Sequence, residues 1–145
     1  MVVFLRLLLV LLFAFAPIAA AADARAIDGP VAAEVERVVD GYTVRVAARI
    51  WVGHTVSVAV RIADVDAPEL YRPRCDAERD AARRAKSFVE AMLGDGGVTL
   101  HEIAPDKYGG RVVARIETNS GDDLGAALLG EGLAVEEGES DPWCR

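Results

Sequence analysis

Histidine and cysteine are scarce in this 145-residue chain, and basic residues are outnumbered by acids. Only His54 and His101 carry imidazoles, and they lack the spacing of metal ligands, so a zinc centre is excluded. The two cysteines, Cys75 and Cys144, give no sign of a thiol nucleophile. With 16 Lys and Arg against 23 Asp and Glu, the net charge is −7. A general electrostatic grip on nucleic acid normally needs a basic face, so only a small, locally basic site remains open. The acid is uneven, since Glu131, Glu136, Glu137, Glu139 and Asp141 crowd the C-terminus. There is no internal repeat and no low-complexity tract.

The N-terminus is rich in apolar residues. Residues 1–22 read "MVVFLRLLLVLLFAFAPIAAAA", with Arg6 as the only charge and Pro17 before a run of small residues. This reads as a secretory signal peptide over residues 1–26, cut somewhere between 20 and 26, with an uncleaved membrane anchor as the alternative. Cleavage leaves residues 27–145, makes the mature chain one unit more negative, and predicts a secreted or periplasmic protein without stable membrane association. Its ~120 residues suffice for a single core and one domain. In an oxidising compartment Cys75 and Cys144 would pair. By chain entropy that bridge contributes up to ~4–5 kcal/mol; two free thiols are the alternative.

Periodicity gives the elements. "AAEVERVVDGYTVRVAARI" reads as two strands around Asp40-Gly41, a hairpin signal. In "HTVSVAVRIADV", Val56, Val58, Val60 and Ile62 share one face while Ser57, Ala59 and Arg61 share the other. The alternation fails after Ile62, which predicts a strand end or bulge near Ala63–Val65. "DAERDAARRAKSFVEAMLG" has helical spacing of Ala81, Ala85, Phe88, Val89 and Met92, with Asp76 as its expected cap and Gly94 at its end. Its arginines read as a solvated face. "GVTLHEI" and "RVVARIET" are strands joined by "APDKYGG", and "DLGAALLGEGLA" is a short helix. Five strands interrupted by a helix fit a mainly β protein with helices (α+β): a five-stranded Greek-key barrel of the OB-fold type with two or three packed helices.

The stretch "RIADVDAPEL" places Arg61, Asp64, Asp66 and Glu69 at a strand end. A solvated loop would explain it, as would a site for a metal and a phosphate. "VVDGYTVRV", "RIADVDAPEL", "DKYGGRVVARI" and "LLGEGLA", in this order, resemble the thermonuclease (staphylococcal nuclease-like) domain over about residues 33–135. The resemblance implies secretion, calcium dependence, and hydrolysis of DNA and RNA, preferably single-stranded, by a monomer. It implies that Arg61 and Arg111 grip the phosphate and that Glu69 activates water. It assigns Asp66 and the Ala67 carbonyl to calcium, and Lys107 and Tyr108 to a terminal phosphate. These residue types suit the task. Hard cations take carboxylate and carbonyl oxygens, and guanidinium pairs bind oxyanions more strongly as charge builds.

Three features depart from the family pattern. The family writes Asp-Gly-Asp-Thr at the hairpin; here it is Asp40-Gly41-Tyr42-Thr43, so a calcium ligand becomes a phenol with a reference pKa of ~10. The expected calcium site is therefore weakened, with Asp64 or Asp40 as candidate replacements. An extra glycine precedes Arg111. After "EGLA", where the family carries base-stacking aromatics, this chain has "VEEGESDPW". Glu136 and Glu137 there would repel a polyanion, and Trp143 is expected to pack the tail beside Cys144. Two functions follow: a calcium-dependent nuclease, impaired by Tyr42, or a catalytically silent OB-fold module that binds nucleic acid or a protein partner.

Overall fold

A computed structural model describes residues 25–94 and 96–144. The signal peptide expected at the N-terminus lies outside the described residues, apart from Arg25 and Ala26. Five strands close a barrel: β1 (Val31–Val38), β2 (Thr43–Trp51), β3 (His54–Ile62), β5 (Gly97–Pro105) and β6 (Arg111–Thr118). Their order around the barrel is β1-β2-β3-β6-β5, with β1 pairing back to β5. All neighbours are antiparallel except β3 and β6. Two helices, α1 (Asp76–Leu93) and α2 (Leu124–Gly130), pack on it. This is the expected five-stranded OB-type barrel with helices. Two short strands, β4 (Val65–Asp66) and β7 (Val135–Glu136), form a separate antiparallel pair that periodicity does not reveal.

The core follows from strand alternation. Val44 and Val46 of β2, Val60 and Ile62 of β3, Leu100 of β5 and Ile116 of β6 are all fully covered. Ala81, Ala85 and Val89 of α1 are buried, with Phe88 and Met92 packed at the edge, as the helical spacing predicts. Arg79 and Arg83 sit on the solvent side and pair with Asp76 and Asp80 at 2.8 and 3.3 Å.

Two local expectations need correction. Val56 is 44% exposed although it shares a face with Val60 and Ile62. β6 begins only opposite Ala59, so the outer half of β3 has no neighbour on that side and Val56 stays open. The cap of α1 is not Asp76 but Cys75, whose sulfur accepts from the Glu78 amide at 3.4 Å. Asp76 is instead the first helical residue. Gly94 does end α1, at φ 53°.

Gly41 brings the β1–β2 turn against α1. A Cβ there would lie 2.7 Å from the Ala85 Cβ, so only glycine allows this approach. The strand end predicted near Ala63–Val65 is present: β3 stops at Ile62, and Asp64 takes φ 62° before β4 begins.

Candidate active site

Sheet register explains why two distant arginines meet. In the parallel β3–β6 pair, Ala59 faces Arg111 and Arg61 faces Val113. Register partners share a face, and Ala59 and Arg61 share theirs because strand side chains alternate. Arg61 and Arg111 therefore project from one outer face of the barrel, two positions apart. The extra glycine before Arg111 does not disturb this. Residues 106–110 form the β5–β6 turn, with Gly110 at φ 79°, and the Asp106 amide closes it on the Arg111 carbonyl at 3.2 Å.

Arg61, Arg111, Lys107, Tyr42, Tyr108 and Asp66 line one cavity of about 310 Å³, together with Asp106 and Glu137. The cations have internal partners. Arg61, with 12% of its side chain exposed, reaches Asp66 at 2.7 Å, the Val65 carbonyl at 3.1 Å and Glu137 at 3.2 Å. Arg111 pairs with Asp106, whose side chain is 5% exposed. Burial alone would raise the Asp106 carboxyl, but its bond to Arg111 and the Tyr108 and Lys107 amides outweigh burial and hold it below the usual range. Each arginine also faces a phenol ring: Arg61 lies 5.5 Å from the centroid of Tyr42, and Arg111 lies 5.1 Å from that of Tyr108. Lys107 is 5.3 Å from the same Tyr108 ring.

Glu69 sits on the loop after β4, half-buried, and its carboxylate accepts from the Tyr71 amide at 3.0 Å. Its charge is felt at both Tyr42 and Asp40. The Tyr42 hydroxyl is pushed above its ordinary value, mainly by burial, with Asp40 and Glu69 adding to the effect. Tyr42 is therefore uncharged at neutral pH. Asp40 is buried and its carboxyl is raised, mainly by that burial; its Oδ1 accepts from the Tyr42 amide at 3.0 Å.

The donors present do not fit a calcium site of the strength that the family pattern implies. That ion takes six to eight oxygens, with charge supplied by several carboxylates. Both Asp66 oxygens are engaged, one by Arg61 and the other by the Gly138 amide at 3.3 Å. Asp40 is turned into its own hairpin. Asp64 is exposed and lines a separate concavity with Leu129, Glu136 and Glu137. Its positive φ breaks the regular strand on which it would have shared a face with Asp66. Among the described residues, no group of three His, Cys, Asp or Glu side chains is placed to hold a metal ion.

Two further residues shape the site. Glu78, 4% exposed in its side chain, accepts from the Glu69 amide at 3.4 Å and the Arg74 amide at 2.6 Å, and pairs with the Arg74 guanidinium at 3.2 Å. It ties the Ala67–Glu69 loop to α1. Its place three residues after the Cys75 cap is the glutamate position of a capping box, a readable signal hidden because the cap is a cysteine. The other is Asp106, the partner of Arg111. Cys75 and Cys144 are joined, with Cα atoms 6.0 Å apart. Trp143, half-buried, lies beside them, its carbonyl 3.8 Å from the Cys75 sulfur.

A model of the staphylococcal nuclease homologue family matches residues 59–142, more than half of the chain. The chain belongs to that family. A search of curated proteins found no match. Staphylococcal nuclease homologues act on nucleic acids and are generally calcium-dependent. The matched range holds Arg61, Asp66, Glu69, Lys107, Tyr108 and Arg111, whereas Tyr42 lies before it, in the hairpin that completes the barrel.

Proposed function

We propose that this chain is a secreted or periplasmic endonuclease of the staphylococcal nuclease type, cleaving phosphodiester bonds of DNA and RNA, preferably single-stranded, with calcium bound at a weakened site. The observation that carries this reading is the convergence of Arg61 and Arg111 on one cavity, with Lys107 beside them. Three cations line this small concavity beside the carboxylates of Asp66, Asp106 and Glu137, and it becomes an anion site when an incoming phosphate displaces those carboxylates. In this reading Arg61 and Arg111 exchange their internal carboxylates for phosphate oxygens. Their hydrogen bonds then strengthen as charge accumulates on the phosphorus centre. Glu69 takes a proton from the attacking water, and Lys107 and Tyr108 hold a terminal phosphate. Asp66 and the Ala67 carbonyl are what remain of the calcium donors. The bond between Cys75 and Cys144 suits an exported protein, as do the domain limits of residues 1–26 and 27–145.

A second reading, a silent module that binds nucleic acid or a protein, draws on Tyr42 and on the pairing of both arginines with carboxylates. Hydrolysis of denatured DNA, measured with calcium and with chelator, separates the two. The nuclease reading expects calcium-dependent cleavage that falls by ~10²–10⁴-fold in Glu69→Gln. Retained DNA binding without cleavage would favour the silent module.

A further inference from the structure

The acidic C-terminal segment lies on the arginine that should receive the phosphate. Residues 135–144 form a strap tied down at five points. β7 pairs with β4, setting Val65 against Glu136 and Asp66 against Val135. The Glu137 amide donates to the Asp64 carbonyl at 3.0 Å and the Gly138 amide to Asp66 at 3.3 Å. Arg74 pairs with Asp141, and Cys144 is bonded to Cys75 at the start of α1. These ties hold the Glu137 carboxylate 3.2 Å from Arg61 Nη1, at the rim of the cavity. Arg61 is mostly covered, while Glu137 is 54% exposed in its side chain, so an arriving anion can displace the carboxylate without unfolding anything.

We infer that Glu137 is a specificity-determining residue: an internal carboxylate, held by the disulfide-tied strap, that competes with the incoming phosphate for Arg61. This deepens the proposed function and rests on it for the identity of the anion. The contact raises the threshold for binding. A ligand must bring more than one phosphate, or contacts beyond Arg61, to win Arg61 Nη1 from Glu137 while Asp66 holds Nη2. Single phosphates and carboxylate metabolites are thus selected against in favour of oligonucleotides. The strap also links selectivity to redox state, because opening the Cys75–Cys144 bond removes the covalent tie nearest the C-terminus.

The test is calorimetric titration, in chelator, of wild type, Glu137→Gln, Glu139→Gln and Arg61→Gln, alone and with Glu137→Gln. The probes are inorganic phosphate and an eight-nucleotide single-stranded DNA. Glu139 sits on the same strap, so Glu139→Gln makes the same charge change away from Arg61. Glu137→Gln is expected to bind both probes about threefold more tightly or better, with the larger gain for phosphate. Glu139→Gln should move affinity far less, and the Glu137→Gln gain should vanish in the Arg61→Gln background. Reduction of the disulfide should tighten binding in wild type and add little in Glu137→Gln. Equal effects of Glu137→Gln and Glu139→Gln, or no effect of Glu137→Gln on either probe, would overturn the inference. A gain for phosphate with no binding of DNA by any variant would uphold the competition at Arg61 and count against the nuclease reading.

Discussion

Tyr42 stands where the resemblance leads one to expect a calcium ligand, and its surroundings explain how the phenol is accommodated. Its ring supports the Arg61 guanidinium, and burial keeps its hydroxyl protonated. A neutral oxygen cannot replace the missing carboxylate, so Tyr42→Asp is expected to tighten calcium binding by about tenfold or more, read by calorimetry. An unchanged affinity would mean that another donor has already taken over. Asp64 is not expected to be that donor: Asp64→Asn should leave calcium affinity as it is, since its side chain lines another concavity. The motif residues were legible in the sequence because each charge is costly to place and each type suits phosphate chemistry. What was not legible was their pairing. That Arg111 meets Asp106 depends on the shape of a five-residue turn, and that Arg61 meets Glu137 depends on a strand pair of two residues each.

At the scale of elements, the site is held by the junctions of β3 with β4 and of the following loop with α1. Glu78 is the anchor of that loop. Burial would raise its carboxyl, but the Arg74 guanidinium and the Arg74 and Glu69 amides hold it below the usual range. Glu78→Ala leaves the Glu69 and Arg74 amides without their acceptor and the Arg74 guanidinium with Asp141 alone. It is expected to cost about 2–4 kcal/mol in urea unfolding and to lower activity by loosening Glu69. A stability loss without any change in activity would show that the loop holds its shape independently. Gly41→Ala would set a methyl 2.7 Å from Ala85 and should cost about 1–3 kcal/mol. Alternation and helical spacing gave away the long elements because their buried faces repeat. β4 and β7 are too short to show a period, and the cysteine cap on α1 hid behind the aspartate that follows it. The outer half of β3 shows the same limit: Val56 keeps the apolar pattern, yet β6 begins only opposite Ala59 and leaves it open.

Across the whole molecule, an acidic chain brings Arg61, Lys107 and Arg111 together in one cavity and sets its own carboxylates against the two arginines. The balance sets a pH dependence. Asp106 and Glu78 are depressed below the ordinary carboxylate range, so the stability they lend is present above about pH 4 and is lost as pH falls through their lower folded values. Asp40 is raised, and acts in the opposite sense: its favourable contribution lies at low pH and is lost as pH rises through its folded value. Acid unfolding should therefore be governed by the Arg111–Asp106 and Arg74–Glu78 pairs. In Asp106→Asn the fall in stability below about pH 4 should be shallower than in wild type, measured by thermal melts across pH. In the proposed function the two-arginine cavity is a phosphodiester-cleaving site whose calcium affinity is weakened at one residue. The most direct test of that function is the rate of denatured-DNA cleavage across a calcium titration, for wild type and Tyr42→Asp together. Both proteins should cleave, with wild type needing about tenfold more calcium to reach half its maximal rate. No cleavage by either protein at saturating calcium would contradict it.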